Sequence, residues 1–170
     1  FSSRRRHTRS FHVTGVQTCA LPIFKLYGHG PELPRLQSLA ADLGVTALVE
    51  FCGRYSQATL PDMLERMDVY VSTSTSDAGL AASTAEAMAA GLPVVVSESG
   101  DNRSWIAHGI NGRLFAVGDD QALARELAGM ARDAAASQRL GDAGRETILA
   151  RNDYATEMRK MEALYESALT

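Results

Sequence analysis

The side chain best placed to do chemistry in this 170-residue chain is Glu86, which lies in the stretch DAGLAASTAEAMAAGLPVVVSESGDNRSW, Asp77 to Trp105. Gly79, Leu80, Ala81 and Ala82 run into a helix pattern expected from Ser83 to Ala90 and stopped by Gly91. Small residues let a ligand approach the backbone closely. The start of a helix offers free N–H groups and a partial positive charge, which suit an anion and phosphate above all. Glu86 has two readings. Ser83-Thr84-Ala85-Glu86 spells a capping box, in which the Glu returns to the backbone N–H of the cap residue. Alternatively, its carboxylate accepts two hydrogen bonds from a cis-diol such as a ribose. Both roles can coexist.

Other candidates are weaker. GHGPEL, from Gly28, is a partial match to the dinucleotide-binding fingerprint, with Glu50 only loosely supplying the acidic residue expected at the end of the next strand. A nicotinamide-dependent dehydrogenase is therefore not expected. His29 stands in a loop with no Ser or Cys beside it, and His108 falls at a helix end where a cation is mildly favoured. Asn102 and Arg103 follow a GDN helix-start signal and read either as that start or as polar edges of a pocket. Cys19 and Cys52 make neither a disulfide framework nor a metal spacing, so a reduced cytosolic protein without a metal site is expected.

These residues need elements to hold them. Strands are expected at 24–27, 48–52, 68–72, within LPVVVS at 92–97 and at 112–116. Helices are expected from Pro31 to about Leu43, from Thr59 with a capping-type pattern, from Ser83, and over 101–108. Val94 to Val96 lack polar breaks, which suits a strand buried on both faces. Leu33, Leu36, Leu39, Ala40 and Leu43 mark a buried face of the first helix. Beyond Asp119 only helices are expected, with stripes at Leu123, Leu127, Met130, Ala131 and Ala134, then at Met158, Met161, Leu164, Tyr165 and Ala168. The methionines read as core packing. Strands alternating with helices through short Gly/Pro loops give an α/β fold with a parallel sheet. In such a sheet, ligands bind outside the carboxyl ends of the strands, which singles out the loops at 28–30, 72–82 and 97–103.

Length fits one domain, and no apolar run reaches the roughly 18–20 residues that span a bilayer. The net charge of −3 is uneven. Residues 1–23 hold Arg4, Arg5, Arg6 and Arg9 and no acid; without them 13 basic residues face 20 acidic ones, a balance of −7. That body has no basic face for nucleic acid. The first 23 residues show neither helical nor strand periodicity. A basic targeting arm is one reading. The stronger one is that VTGVQTCALPI, Val13 to Ile23, resembles the translation of a short-read sequencing adapter. Residues 1–23 are therefore read as non-native and 24–170 as the functional body.

Taken in order, YGHGPE, VEFCGRYSQATLPDMLERMDVYVSTS, EAMAAGLPVVVSESGDNRSWIAHGINGRLFAVGDDQALARELAGM and MEALYES resemble the C-terminal, donor-binding domain of retaining glycosyltransferases of the GT-B fold, in glycosyltransferase family 4 (glycosyl transferases group 1). The resemblance covers about Phe24 to Leu169. It implies a Rossmann-like parallel sheet flanked by helices, the C-terminal half of a GT-B fold truncated on its N-terminal side. It further implies that Glu86 contacts the nucleotide ribose and that Gly79, Leu80, Ala81 and Ala82 wrap the diphosphate and sugar. Gly53 and Arg54 would help to hold the base, and Gly28 and His29 would border the same cleft. Asn102 and Arg103 would edge the donor pocket.

The chain departs from the family pattern, which has Glu, seven residues, then Glu. Counting back from Glu86 reaches Ala78, with Asp77 one place early. Asp77 either replaces the first Glu or caps a turn, and in the latter case backbone alone meets the sugar. An Arg and a Lys of the family, which neutralise the leaving diphosphate, would lie upstream of Phe24, together with the acceptor-binding domain.

The implied function is transfer of a sugar, with retention, from a nucleotide sugar (UDP- or GDP-linked, as substrate and with no other cofactor) to a glycan or lipid-linked acceptor. It would take place in the cytoplasm or at the inner face of the membrane, and this piece alone would be inactive. A GT-B epimerase or phosphorylase-like enzyme is the alternative within enzymes; a non-catalytic α/β regulatory domain is the alternative outside them.

Overall fold

A computed structural model describes residues 24–75 and 79–169; the expectations for 1–23 and for Asp77 lie outside the described residues. The chain divides after Ser56 into two units.

In the first unit, β1 (Phe24–Tyr27) pairs in parallel with β2 (Val49–Gly53), through α1 (Leu33–Asp42) and a 3-10 turn at Thr46–Leu48. Helix α1 begins at Leu33 rather than Pro31, with Pro34 in its first turn, where a missing N–H costs nothing. Its expected buried face is not one. Ala40 is buried, whereas Leu36, Leu39 and Leu43 are exposed, because a two-stranded sheet covers little of a helix.

The second unit holds a parallel three-stranded sheet in the order β3-β4-β5: Tyr70–Ser72, Val94–Ser97 and Arg113–Phe115. Helix α2 (Leu60–Glu65) precedes it, α3 (Ala82–Ala89) joins β3 to β4, and α4 (Asn102–Trp105) lies between β4 and β5. Three longer helices follow: α5 (Asp120–Arg132), α6 (Ala134–Arg151) and α7 (Tyr154–Ala168).

Strand β4 is buried along its whole length, as the unbroken valine run implied. Its side chains alternate between two cores. Val94 and Val96 pack with Met88, Leu114, Ile106 and Ile148; Val95 packs with Phe115, Met130 and Leu140. Leu123 and Leu127 of the first late stripe join the second core, while Ala131 and Ala134 stay exposed.

Two other expectations fail. The stripe on α7 is not core: none of its residues is buried, and Met161, Leu164 and Tyr165 are exposed. Periodicity shows which face would profit from burial, not that anything covers it. Thr59, at the N-cap of α2, caps nothing with its side chain; Asp62 in the first turn favours the helix dipole instead.

Helix α3 is fixed at its far end by close backbone approach. An added Cβ at Gly141 of α6 would stand 2.4 Å from the Gly91 carbonyl oxygen, so only glycine fits where α6 crosses the turn after α3. Arg145 of α6 donates to the Ala89 carbonyl at 3.0 Å.

Candidate functional site

The carboxyl end of β3 opens into the loop that enters α3. Gly79 has φ +144° in open space, a conformation that residues with a Cβ rarely adopt. Leu80 turns inward and packs against the first core, and Ala81 is the N-cap. Ala82 is the first helical residue, and the Ala85 N–H to Ala81 carbonyl bond at 3.0 Å closes the first turn.

This start corrects the capping-box reading. With Ala82 first, Glu86 is the fifth residue of the helix rather than the third, and no side chain caps the terminus. Ser83 turns its hydroxyl elsewhere: its Oγ lies 2.8 Å from the Tyr70 hydroxyl on β3, to which Thr84 Oγ1 donates at 3.4 Å. Helices α5, α6 and α7 are capped by Asp119, Asp133 and Asp153, which accept from Ala122, Ala136 and Thr156 N–H. Helix α3 has neither such a side-chain cap nor an acid in its first turn. The Glu86 carboxylate accepts from Gln57 Nε2 at 3.4 Å. One such bond uses a fraction of a carboxylate's roughly four lone-pair sites.

The end of β4 is knitted to the same region. Ser97 Oγ donates to the Ser74 carbonyl in the loop after β3 and lies 3.5 Å from Ser99 Oγ. Asn102 is buried, and its Nδ2 donates to the Ser97 carbonyl at 3.0 Å. It thus fastens α4 to the end of β4, and Arg103 beside it is exposed and paired with Glu98. Trp105, at the end of α4, lies under the Arg151 guanidinium at 4.1 Å, and Arg151 also donates to the Ser104 carbonyl.

In the first unit, Gly28, His29, Gly53 and Arg54 gather at the carboxyl ends of β1 and β2. The Gly28 N–H donates to the Gly53 carbonyl at 2.8 Å. Gly53 has φ +68° where the register slips between Leu26 and Tyr27. Tyr27 and Tyr55 meet edge to face at 6.1 Å between ring centres. His29 and Arg54 are exposed. Glu50, the loose candidate for a dinucleotide acid, is engaged by Lys25 Nζ at 2.7 Å. The hydrogen bond from that ammonium holds the Glu50 carboxyl below its ordinary range and raises the Lys25 pKa.

Sequence reasoning missed Tyr70 and Gln57 and reached Ser97 only as the first residue of the loop at 97–103. The one available signal was Tyr70, a strand tyrosine whose hydroxyl needs a partner when its ring is covered.

The family described as Glycosyl transferases group 1 matches residues 22–147. The chain is 32% identical over 143 residues to the lipopolysaccharide core biosynthesis glycosyltransferase LpsE of Rhizobium meliloti (strain 1021), covering 83% of this chain and 41% of that protein. It is 30% identical over 159 residues to the phosphatidyl-myo-inositol mannosyltransferase of Mycobacterium leprae, covering 93% of this chain and 41% of that one. It thus spans about two fifths of the length of these curated relatives. Among solved structures, Anabaena Alr3699/HepE in complex with UDP and glucose superposes with a TM-score of 0.78 at 25% identity, over 85% of this chain and 40% of that one.

Proposed function

Because the chain belongs to the group 1 glycosyl transferases, we propose that it is the donor-binding part of an enzyme that moves a sugar from a nucleotide sugar to a glycan or lipid-linked acceptor with retention. The observation that carries the proposal is the start of α3. Its N-terminus is uncapped and follows a glycine in open space, and a carboxylate released from capping stands one turn in. The diphosphate lies against the N–H groups of the first turn, and Glu86 accepts from the ribose hydroxyls. The bond from the anomeric carbon to the diphosphate oxygen breaks with its electron pair leaving on the diphosphate. Preorganised N–H donors stabilise the charge that develops there.

UDP is the first nucleotide to test, since a similar protein was solved with UDP and glucose; GDP is the second. The names of the lipopolysaccharide-core and phosphatidyl-inositol relatives point to acceptors held at a membrane, consistent with peripheral attachment at its inner face. Among the described residues no helix is long and apolar enough to cross a membrane. The acceptor side belongs to the larger share of the relatives' length that this chain does not span, so the chain alone binds nucleotide weakly and does not turn over. The test is the natural full-length gene product incubated with a panel of UDP and GDP sugars and membrane extract. Release of nucleoside diphosphate with formation of a glycoside of unchanged anomeric configuration is expected; no transfer from any nucleotide sugar would defeat the enzyme reading.

A further inference from the structure

We propose that Gln57 is the positioning residue of Glu86: its amide sets the plane in which the carboxylate meets the ribose hydroxyls. This rests on the donor-binding reading given above.

Gln57 stands in the turn before α2 and is exposed. Its Nε2 donates to Glu86 Oε1 at 3.4 Å, across 29 positions of sequence. A carboxylate accepts and cannot donate, so the direction of this bond is fixed. One core holds both backbones. Leu60 and Leu64 of α2 are buried in the same cluster as Ala87 and Met88 of α3, so the two side chains start from anchored elements. Glu86 itself is half-buried, and among the described residues no Lys or Arg pairs with it.

The choice of partner has a chemical consequence. The last torsion of a glutamate is broad and roughly two-fold, so a lone carboxylate spreads over many planes. A two-point grip on a cis-diol needs one plane. A single N–H on Oε1 narrows that torsion, and it leaves Oε2 and a lone pair of Oε1 open. A cation at the same place would neutralise the carboxylate and compete with the incoming hydroxyls. An amide orients it and leaves the charge to strengthen their bonds. At 3.4 Å the bond is too long to add much to stability, so orientation is the contribution left to it. Such bonds are often long without ligand and tighten in the complex.

The test titrates the ¹⁵N-labelled chain with UDP and 2′-deoxy-UDP, read by amide resonances, which report weak affinities. If the parent takes GDP instead, the guanosine pair replaces them. Gln57→Met keeps the length of the side chain and removes its N–H groups; Gln57→Glu keeps its shape and, ionised, only accepts. Both ligands carry the same base and diphosphate, so added charge or altered packing elsewhere cancels in their ratio. The parent should prefer UDP by about tenfold, and both variants should lower that preference to about threefold, with thermal unfolding midpoints unchanged. In Glu86→Ala, adding Gln57→Met should shift UDP affinity by less than about twofold, since the residue acts through Glu86. An unmoved preference in both variants overturns the proposal. So does a loss of UDP affinity from Gln57→Met that is as large in Glu86→Ala as in the parent, because Gln57 then meets the ligand itself. A parent that binds neither UDP nor GDP defeats the donor-binding reading, an outcome separate from binding with an unmoved preference.

Discussion

Replacing Glu86 by Ala separates a ribose hook from a helix support, because the two roles predict opposite pairs of results. On the stability side, Glu86 lies past the first turn of α3, and its hydrogen bond from Gln57 is 3.4 Å long. That is beyond the usual range of about 2.7–3.2 Å for a firm N–H···O bond. Ala is also the best helix former. The unfolding free energy should therefore move by less than about 0.5 kcal/mol, as for a surface substitution away from special features. On the binding side, two ribose hydroxyls donating to one carboxylate are charge-assisted bonds. Together they contribute about 2–3 kcal/mol after allowance for non-additivity, or about 30- to 150-fold in dissociation constant. Calorimetry with UDP and 2′-deoxy-UDP makes the assay specific. The parent should prefer UDP by about tenfold, and Glu86→Ala should lose that preference. A variant that binds both nucleotides like the parent, yet unfolds about 1 kcal/mol or more below it, would show that Glu86 serves the helix and would refute the reasoning.

Gly141→Ala should destabilise the second unit by about 1–3 kcal/mol, because its Cβ has backbone rather than a flexible side chain in its way; chemical denaturation checks this. Asn111→Ala should cost about 2–4 kcal/mol in the same measurement. The buried Asn111 accepts from the Ala107 N–H and donates to the Trp105 carbonyl and to Thr147 Oγ1, so the change strands several groups at once. Asp153 gives a pH signature. Hydrogen bonds from the Thr156 side chain and then its backbone N–H hold the Asp153 carboxyl below its ordinary range. The cap's contribution is thus present above the ordinary carboxylate pKa of about 3.9 and is lost as pH falls through the lower folded value. The difference in denaturation midpoint between the parent and Asp153→Ala should be full above about pH 5 and should shrink toward zero in stronger acid.

What the sequence disclosed and what it hid differ in physical kind. The run at Val94 to Val96 announced a doubly buried strand because burial on both faces leaves no position for a polar residue. The parallel α/β class followed from the alternation of elements. The capping box misled because Ser83-Thr84-Ala85-Glu86 is a local pattern, while the helix begins at Ala82 and the Ser83 hydroxyl pairs with that of Tyr70, thirteen positions back. Gly141 against Gly91 is a meeting of segments fifty residues apart, which no local period encodes. The stripes on α1 and α7 marked apolar faces correctly as patterns, but burial needs a partner surface, and Leu39 and Leu164 remain exposed. At the site, Gly79 to Ala82 and Glu86 were legible as small residues before a helix and a lone acid. Asn102 was legible as a helix start or as a polar edge of a pocket, and the structure gives it the task of holding α4 to β4.

The central claim is that the first turn of α3 receives a nucleoside diphosphate. Titration of the ¹⁵N-labelled chain with UDP and GDP, followed by amide resonances, tests it most directly. The account predicts saturable shifts concentrated at Gly79 to Thr84 and at Glu86 for at least one nucleotide, and smaller ones with the monophosphate. Resonances of that turn that stay in place with both diphosphates, at concentrations up to the millimolar range, would contradict it.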